Sequence, residues 1–196
     1  MKVLLIGNGP SVLEQNVGKR INSNEFDIVC RINRGHKQDN GEINKGFEQQ
    51  VGTRCDVWFC SDLRLNLAKE RHKEYSQIFI YYPSFKFNSN IQKEVNKTYE
   101  NIFVLDPLYE KEVNSLIKFS PRWPSTGIIA IQYLQSTGEE IYIHGFDTYD
   151  IKYDTSHYFE NRPNKYKNSN NNDHSPLLER KYIDHMLKSN KIKLFK

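Results

Sequence analysis

Long apolar runs are missing from this 196-residue chain: none approaches the roughly 20 residues that a helix needs to cross a bilayer. A membrane span is not expected. The opening MKVLLIGNGP also lacks the parts of a secretory leader, because one Lys and a few apolar residues give way at once to Gly and Asn with no small-residue cleavage site. It reads as a first strand, and the protein as cytoplasmic. Cysteine is scarce and odd in number, and Cys30, Cys55 and Cys60 each sit in a β-branched or aromatic stretch. A disulfide framework is not expected, and buried, reduced thiols are. The spacing of Cys55 and Cys60 matches no usual zinc pattern. No internal repeat or linker interrupts the chain, so residues 1–196 are expected to form a single domain. A large excess of one charge sign is missing too: 28 Lys and Arg against 24 Asp and Glu leave +4, which suits an anionic ligand as well as nucleic acid and does not decide between them.

Seven short apolar runs are present: Val3 to Ile6, Asp27 to Ile32, Asp56 to Cys60, Gln77 to Tyr82, Asn101 to Leu105, Glu140 to His144 and Ile192 to Phe195. Most are nearly continuous rather than alternating, the pattern of strands covered on both faces. Helical spacing lies between several of them, which predicts βαβ units and an α/β fold of nucleotide-binding, Rossmann-like type with a mainly parallel central sheet. Thr126 to Gln135 is apolar nearly all round and reads as a buried helix. Leu177 to Lys188 is amphipathic, with Ser175 and Pro176 suited to its N-cap and first position. Asn161 to Asp173, rich in Asn and Lys, reads from composition as a solvated loop, and histidines on either side add a second reading as a lid.

Gly7-Asn8-Gly9-Pro10-Ser11 directly follows the first run. Glycines allow close backbone approach to a phosphate, and a helix after them would aim free N–H groups there. A dinucleotide fingerprint is incomplete, since Val12 stands at its third glycine and the second run ends in Arg31-Ile32-Asn33 without an acidic residue. A mononucleotide is the better expectation. Asn33, a turn residue if taken alone, falls at the carboxyl edge where open α/β sheets bind ligands. Pro124-Ser125-Thr126-Gly127 opens the buried helix, either as an ordinary cap or as an anion site. His144-Gly145-Phe146-Asp147 closes the next run. His157 and His174 flank the polar segment and can move protons near neutral pH, although a single histidine is more often a packed or surface residue.

The order GNGPS, FDIVCRIN, GTRCDVWF, PSTGIIAIQYL with IYIHGFD, HYFEN, and then His174 with Glu179 resembles the large, small, third and very small sialylmotifs of the eukaryotic-type, family 29-like sialyltransferases. The ending HSPLLERKYIDHMLKSNKIKLF is also similar to bacterial sialyltransferases of the family 42 type. The resemblance implies a sialyltransferase-like variant of the GT-A fold. It puts Asn8, Gly9, Ser11, Asn33 and Gly145 at a CMP-sugar donor, and Ser125, Thr126 and Gly127 at its cytidine, phosphate or carboxylate. His157 would contact the leaving phosphate, His174 would be the general base, and Glu179 would orient the region. The implied reaction is inverting transfer of sialic acid from CMP-sialic acid to a glycan or glycolipid hydroxyl, with CMP-Kdo as alternative donor. No cofactor is expected, the CMP-sugar being a substrate, and no nucleic-acid partner. No metal is expected either, because the Asp-x-Asp pair of metal-dependent sugar transferases is missing. Two other classes are weighed: a dinucleotide-dependent oxidoreductase, disfavoured by Val12 and the absent acidic residue, and a non-catalytic module that keeps the Asn8 and Ser125 sites but releases no CMP.

Overall fold

All seven apolar runs are strands in the computed structural model, which describes residues 1–34, 46–148, 152–159 and 174–196. They are β1 (Lys2–Ile6), β2 (Ile28–Ile32), β3 (Val57–Ser61), β4 (Gln77–Tyr81), β5 (Ile102–Val104), β6 (Glu140–His144) and β7 (Lys193–Leu194). Their order in one sheet is β5-β4-β3-β2-β1-β6-β7, and every ladder is parallel. The chain works outward from β1 to β5 and then returns to the other side of β1 for β6. The reversal lies between β1 and β6, beside which open α/β sheets form ligand crevices at their carboxyl edge.

Alternation along the strands explains the continuous apolar runs. Val3, Leu5, Cys30, Ile32, Phe59 and Phe79 face one core, while Leu4, Ile6, Val29, Cys60, Ile78 and Ile80 face the clusters on the other side. Both faces are covered, so the central strands are apolar between their ends, except at Arg31 of β2, whose buried guanidinium donates to the Arg54 and Val51 carbonyls. The first core is roofed by α5 (Leu108–Leu116), α6 (Thr126–Ser136) and α7 (Pro176–Lys188); α1 (Gly18–Ile21), α3 (Leu65–Arg71) and α4 (Ser89–Thr98) serve the other side, and α2 (Glu48–Val51) carries Val51. Ile128, Ile129 and Ile131 of α6 are all buried. At roughly 1.5–3 kcal/mol for each such side chain, they hold the start of this helix firmly against the sheet. A fourth, small cluster stands apart: Val12, Val51 and Tyr158, with Phe47 and Phe159 packed against it.

Two expectations change. The segment after Gly9 is a five-residue 3-10 helix, Pro10–Glu14, and not the long helix whose dipole could serve an anion. Its Pro10 and Val12 turn inward, which a short tight turn accommodates better than an extended helix. Cys30 and Cys60 are buried thiols with pKa values pushed up by burial, as expected, but Cys55 is only half-buried because it precedes β3. The Asn-rich segment read as loop or lid, 161–173, lies outside the described residues.

Candidate functional site

A cavity of about 380 Å³ opens at the carboxyl edge of the sheet, lined from the ends of β1, β2, β3, β4 and β6 and from the start of α6. It brings together Asn8, Gly9, Asn33, Ser125, Thr126, Gly127, Gly145, His157 and His174, which are far apart in sequence, and adds Glu179. Ser11 alone among the expected donor residues does not line it. Its backbone N–H donates to Asp147 Oδ2 at 2.7 Å and its hydroxyl bonds the same carboxylate. Burial pushes the Asp147 carboxyl up, and these two bonds draw it back down.

The glycines have a structural use beside the one expected. A Cβ on Gly7 would collide with the Gly145 carbonyl, one on Gly9 with the Asp147 carboxylate, and one on Gly145 with Val12. Gly145 also has φ of 72°, where a side chain is strained. Gly7 and Gly9 donate to the carbonyls of His144 and Gly145 at 2.7 and 2.9 Å. The missing side chains therefore let the exits of β1 and β6 interlock, while Gly7, Gly9 and Gly145 still line the cavity.

Asn8 and Asn33 are fixed by the backbone around them. Asn8 Nδ2 donates to the Ile32 carbonyl at 3.2 Å, and the Asn8 carbonyl accepts the Tyr158 N–H at 3.0 Å. Its Oδ1 is buried with no hydrogen-bond partner among the described residues. Asn33 takes φ of 48°, a left-handed conformation that Asn tolerates better than most residues. Its carbonyl accepts the Trp58 indole N–H at 2.8 Å and its Oδ1 accepts the Ser61 N–H at 3.0 Å. With the oxygen so occupied, the amide has its Nδ2 donors to offer a ligand.

Ser125 caps α6 in position but not by its side chain. Its N–H and hydroxyl both donate to Glu179, at 3.0 and 3.1 Å. Glu179 is buried on the inner side of α7, and desolvation pushes its carboxyl to about 7 against the pull of the two Ser125 bonds. A protein carboxylate thus already takes part of the donor capacity expected for a ligand anion. His174 Nδ1 lies 3.2 Å from the Trp123 carbonyl, and its own carbonyl accepts from Arg122 at 3.0 Å. His157 stacks on Phe159, with ring centroids 5.5 Å apart.

The histidines enter from opposite ends. His157 adjoins Tyr158, which is bonded to Asn8 at the β1 exit, whereas His174 hangs on Trp123, which packs on Phe85 beyond β4. Those strands are three places apart in the sheet, roughly 14 Å. Sequence reasoning missed Ser61, Asp62, Tyr81, Lys86, Trp123 and Phe146, all of which line the cavity. Most stand at or just past the carboxyl ends of β3, β4 and β6, so extending the edge rule from Asn33 to every strand would have found them. Among the described residues, no three His, Cys, Asp or Glu side chains converge as a metal site would require, and no helix is long and apolar enough to cross a membrane.

No curated protein matches the chain. A mammalian sialyltransferase crystal structure superposes with a TM-score of 0.68 at 21% identity, covering 100% of this chain and 68% of that one. A second, of a mammalian sialyltransferase in complex with Gal-beta-1-3GalNAc-ortho-nitrophenol, gives 0.64 at 19% identity, with coverage of 100% and 69%. At these identities the likeness is one of fold. The profile described as glycosyltransferase family 29 (sialyltransferase) matches residues 3–191, nearly the whole chain. This chain belongs to glycosyltransferase family 29, the sialyltransferases, and is a glycosyltransferase.

Proposed function

We propose that this enzyme transfers sialic acid from CMP-sialic acid to a glycan or glycolipid hydroxyl, with inversion and without a metal ion, residues 1–196 acting as one domain in the cytoplasm. The observation that carries the reading is the pair of histidines entering one cavity from its two ends. In-line displacement needs a base on one side of the anomeric carbon and help for the leaving group on the other. A carbonyl only accepts hydrogen bonds, so Trp123 keeps the proton on His174 Nδ1, and Nε2 is the basic atom of the neutral ring. In the proposed step Nε2 takes the acceptor hydroxyl proton as the acceptor oxygen bonds the anomeric carbon. The bond from that carbon to the phosphate oxygen breaks, its electron pair leaves with CMP, and His157 stabilises the charge.

The nucleotide follows from Asn8. A buried acceptor without a donor costs about 1–3 kcal/mol, and the 4-amino group of cytosine supplies the donor, whereas uracil presents a carbonyl there. The absence of an Asp-x-Asp pair supports the metal-free reading. CMP at 100 times its dissociation constant is expected to raise the melting temperature by roughly 5–10 °C. UMP at equal concentration should do clearly less, and EDTA should change neither binding nor turnover. Equal stabilisation by the two nucleotides, or activity lost to EDTA and restored by manganese, overturns the assignment. Gal-β1,3-GalNAc glycosides, the compound class bound in the second mammalian structure, are the first acceptors to assay.

A further inference from the structure

Ser11 does not line the cavity, but it belongs to the turn that follows Asn8 out of it. That turn enters its 3-10 helix with no cap of its own. Gly9, at the N-cap, has no side chain to accept a hydrogen bond, and Pro10 has no N–H, so the Ser11 N–H is the first in need of an acceptor. Asp147 supplies it from 136 residues away, its Oδ2 accepting that N–H at 2.7 Å and its carboxylate also taking the Ser11 hydroxyl. A Cβ on Gly9 would strike the same carboxylate, so the turn lies flush against it.

Asp147 is itself held from the other side. Arg180 of α7 donates Nη2 to the Asp147 carbonyl and Nε to the Thr148 hydroxyl, both at 2.8 Å. One residue earlier on the same helix, Glu179 accepts from Ser125 at the start of α6. The first turns of α7 thus reach two walls of the cavity: the start of α6 through Glu179, and the exit of β1 through Arg180 and Asp147. Asn8 has little else to aim it. Its side chain makes a 3.2 Å bond to the Ile32 carbonyl, at the long end of the usual range, and its Oδ1 has no partner among the described residues. Where Oδ1 points is set by the backbone: the β1 ladder before it, the Tyr158 bond at its carbonyl and the Gly9–Ser11 turn after it.

We infer that Asp147 is a positioning residue for nucleotide selectivity: it stays outside the cavity lining, and its grip on Gly9–Ser11 aims the Asn8 Oδ1 that meets the base. The inference rests on the cytosine reading above and adds the residue on which that reading depends.

Titrations of wild type, Asp147→Asn and Asp147→Ala with CMP and with UMP test it. A residue that only supports the fold would lower the melting temperature when replaced and leave the preference between nucleotides as it was. A misaimed Asn8 removes the preference itself. In Asp147→Ala the ratio of the UMP to the CMP dissociation constant should fall by about fivefold or more toward one, while UMP affinity stays within about twofold, because only cytosine offers that oxygen a donor. Asp147→Asn keeps an oxygen for the Ser11 N–H without the charge that strengthens the bond, so its ratio should lie roughly two- to threefold below wild type. It decides the matter should the Ala protein not fold. A preference undiminished in the folded variants, or CMP and UMP affinities falling together, overturns the inference. The two readings fail separately. Wild type that does not prefer CMP to UMP refutes the cytosine reading of Asn8, and hydrogen exchange of the backbone amides of residues 8–12 in the ligand-free proteins then decides whether Asp147 holds the turn. Exchange there should be several-fold faster in Asp147→Asn than in wild type with the β1 amides unchanged, and equal rates overturn the positioning role.

Discussion

Replacing His174 with Ala is expected to slow transfer by roughly 10² to 10⁴-fold, the worth of a positioned general base. CMP affinity should remain within a few-fold of wild type, because the base serves the acceptor and stands at the β4 end of the cavity. His157→Ala is expected to differ in kind. It should slow transfer and also weaken CMP, since a contact to the leaving phosphate persists in the product complex. Turnover of CMP-sialic acid measured beside CMP titration separates the two. Near-normal turnover in His174→Ala removes it from the mechanism, and identical profiles for the two variants refute the division of labour.

Glu179 gives the second large effect, and it is an effect of pH on stability. Its carboxyl stands at 4.5 when exposed and at about 7 in the fold. The folded state therefore holds its proton where the unfolded state has lost it, so this contribution is complete below pH 4.5 and is lost as pH rises through 7. A shift of that size corresponds to about 3 kcal/mol. Glu179→Gln keeps an oxygen for the Ser125 N–H and has no proton to lose. Melting temperatures of wild type minus variant should then fall by on the order of 10 °C between pH 4.5 and 8. A flat difference across that range means that the carboxyl ionises freely in the fold. Subtracting the variant removes the other shifted groups, His144 and Asp147 included.

Every strand was legible in the sequence, since a parallel sheet covered on both faces leaves no choice but unbroken apolar runs. The two long helices at the site were legible for the same reason, from the all-round apolarity of α6 and the stripe on α7. The short pieces were not: Pro10–Glu14 and α1 carry too few residues for a period to show. Asn8, Asn33, Ser125 and both histidines were found because each stands where a strand, helix or loop begins or ends. The second use of the glycines was hidden because a glycine needed for backbone approach looks the same in sequence whether a ligand or another strand approaches. Glu179 could have been read further. It lies three, four and seven positions before Tyr182, Ile183 and Met186, on the apolar face of its own helix, and a carboxylate in that stripe is either paired or shifted. Lys86 and Trp123 gave no pattern at all, because neither adjoins the end of a strand in the chain.

The small cluster of Val12, Val51 and Tyr158 has a consequence for affinity itself. Its residues are as buried as those of the main core, yet separating them breaks no ladder bond of the sheet. The free energy of opening it is expected to lie below that of global unfolding. Tyr158 is the residue that joins His157 to Asn8, so the end of the cavity proposed for the nucleotide is complete only in the closed population. Measured affinity is then the intrinsic affinity scaled by that closed fraction. A mutation at Val51, which does not line the cavity, would weaken binding through occupancy of the competent state alone.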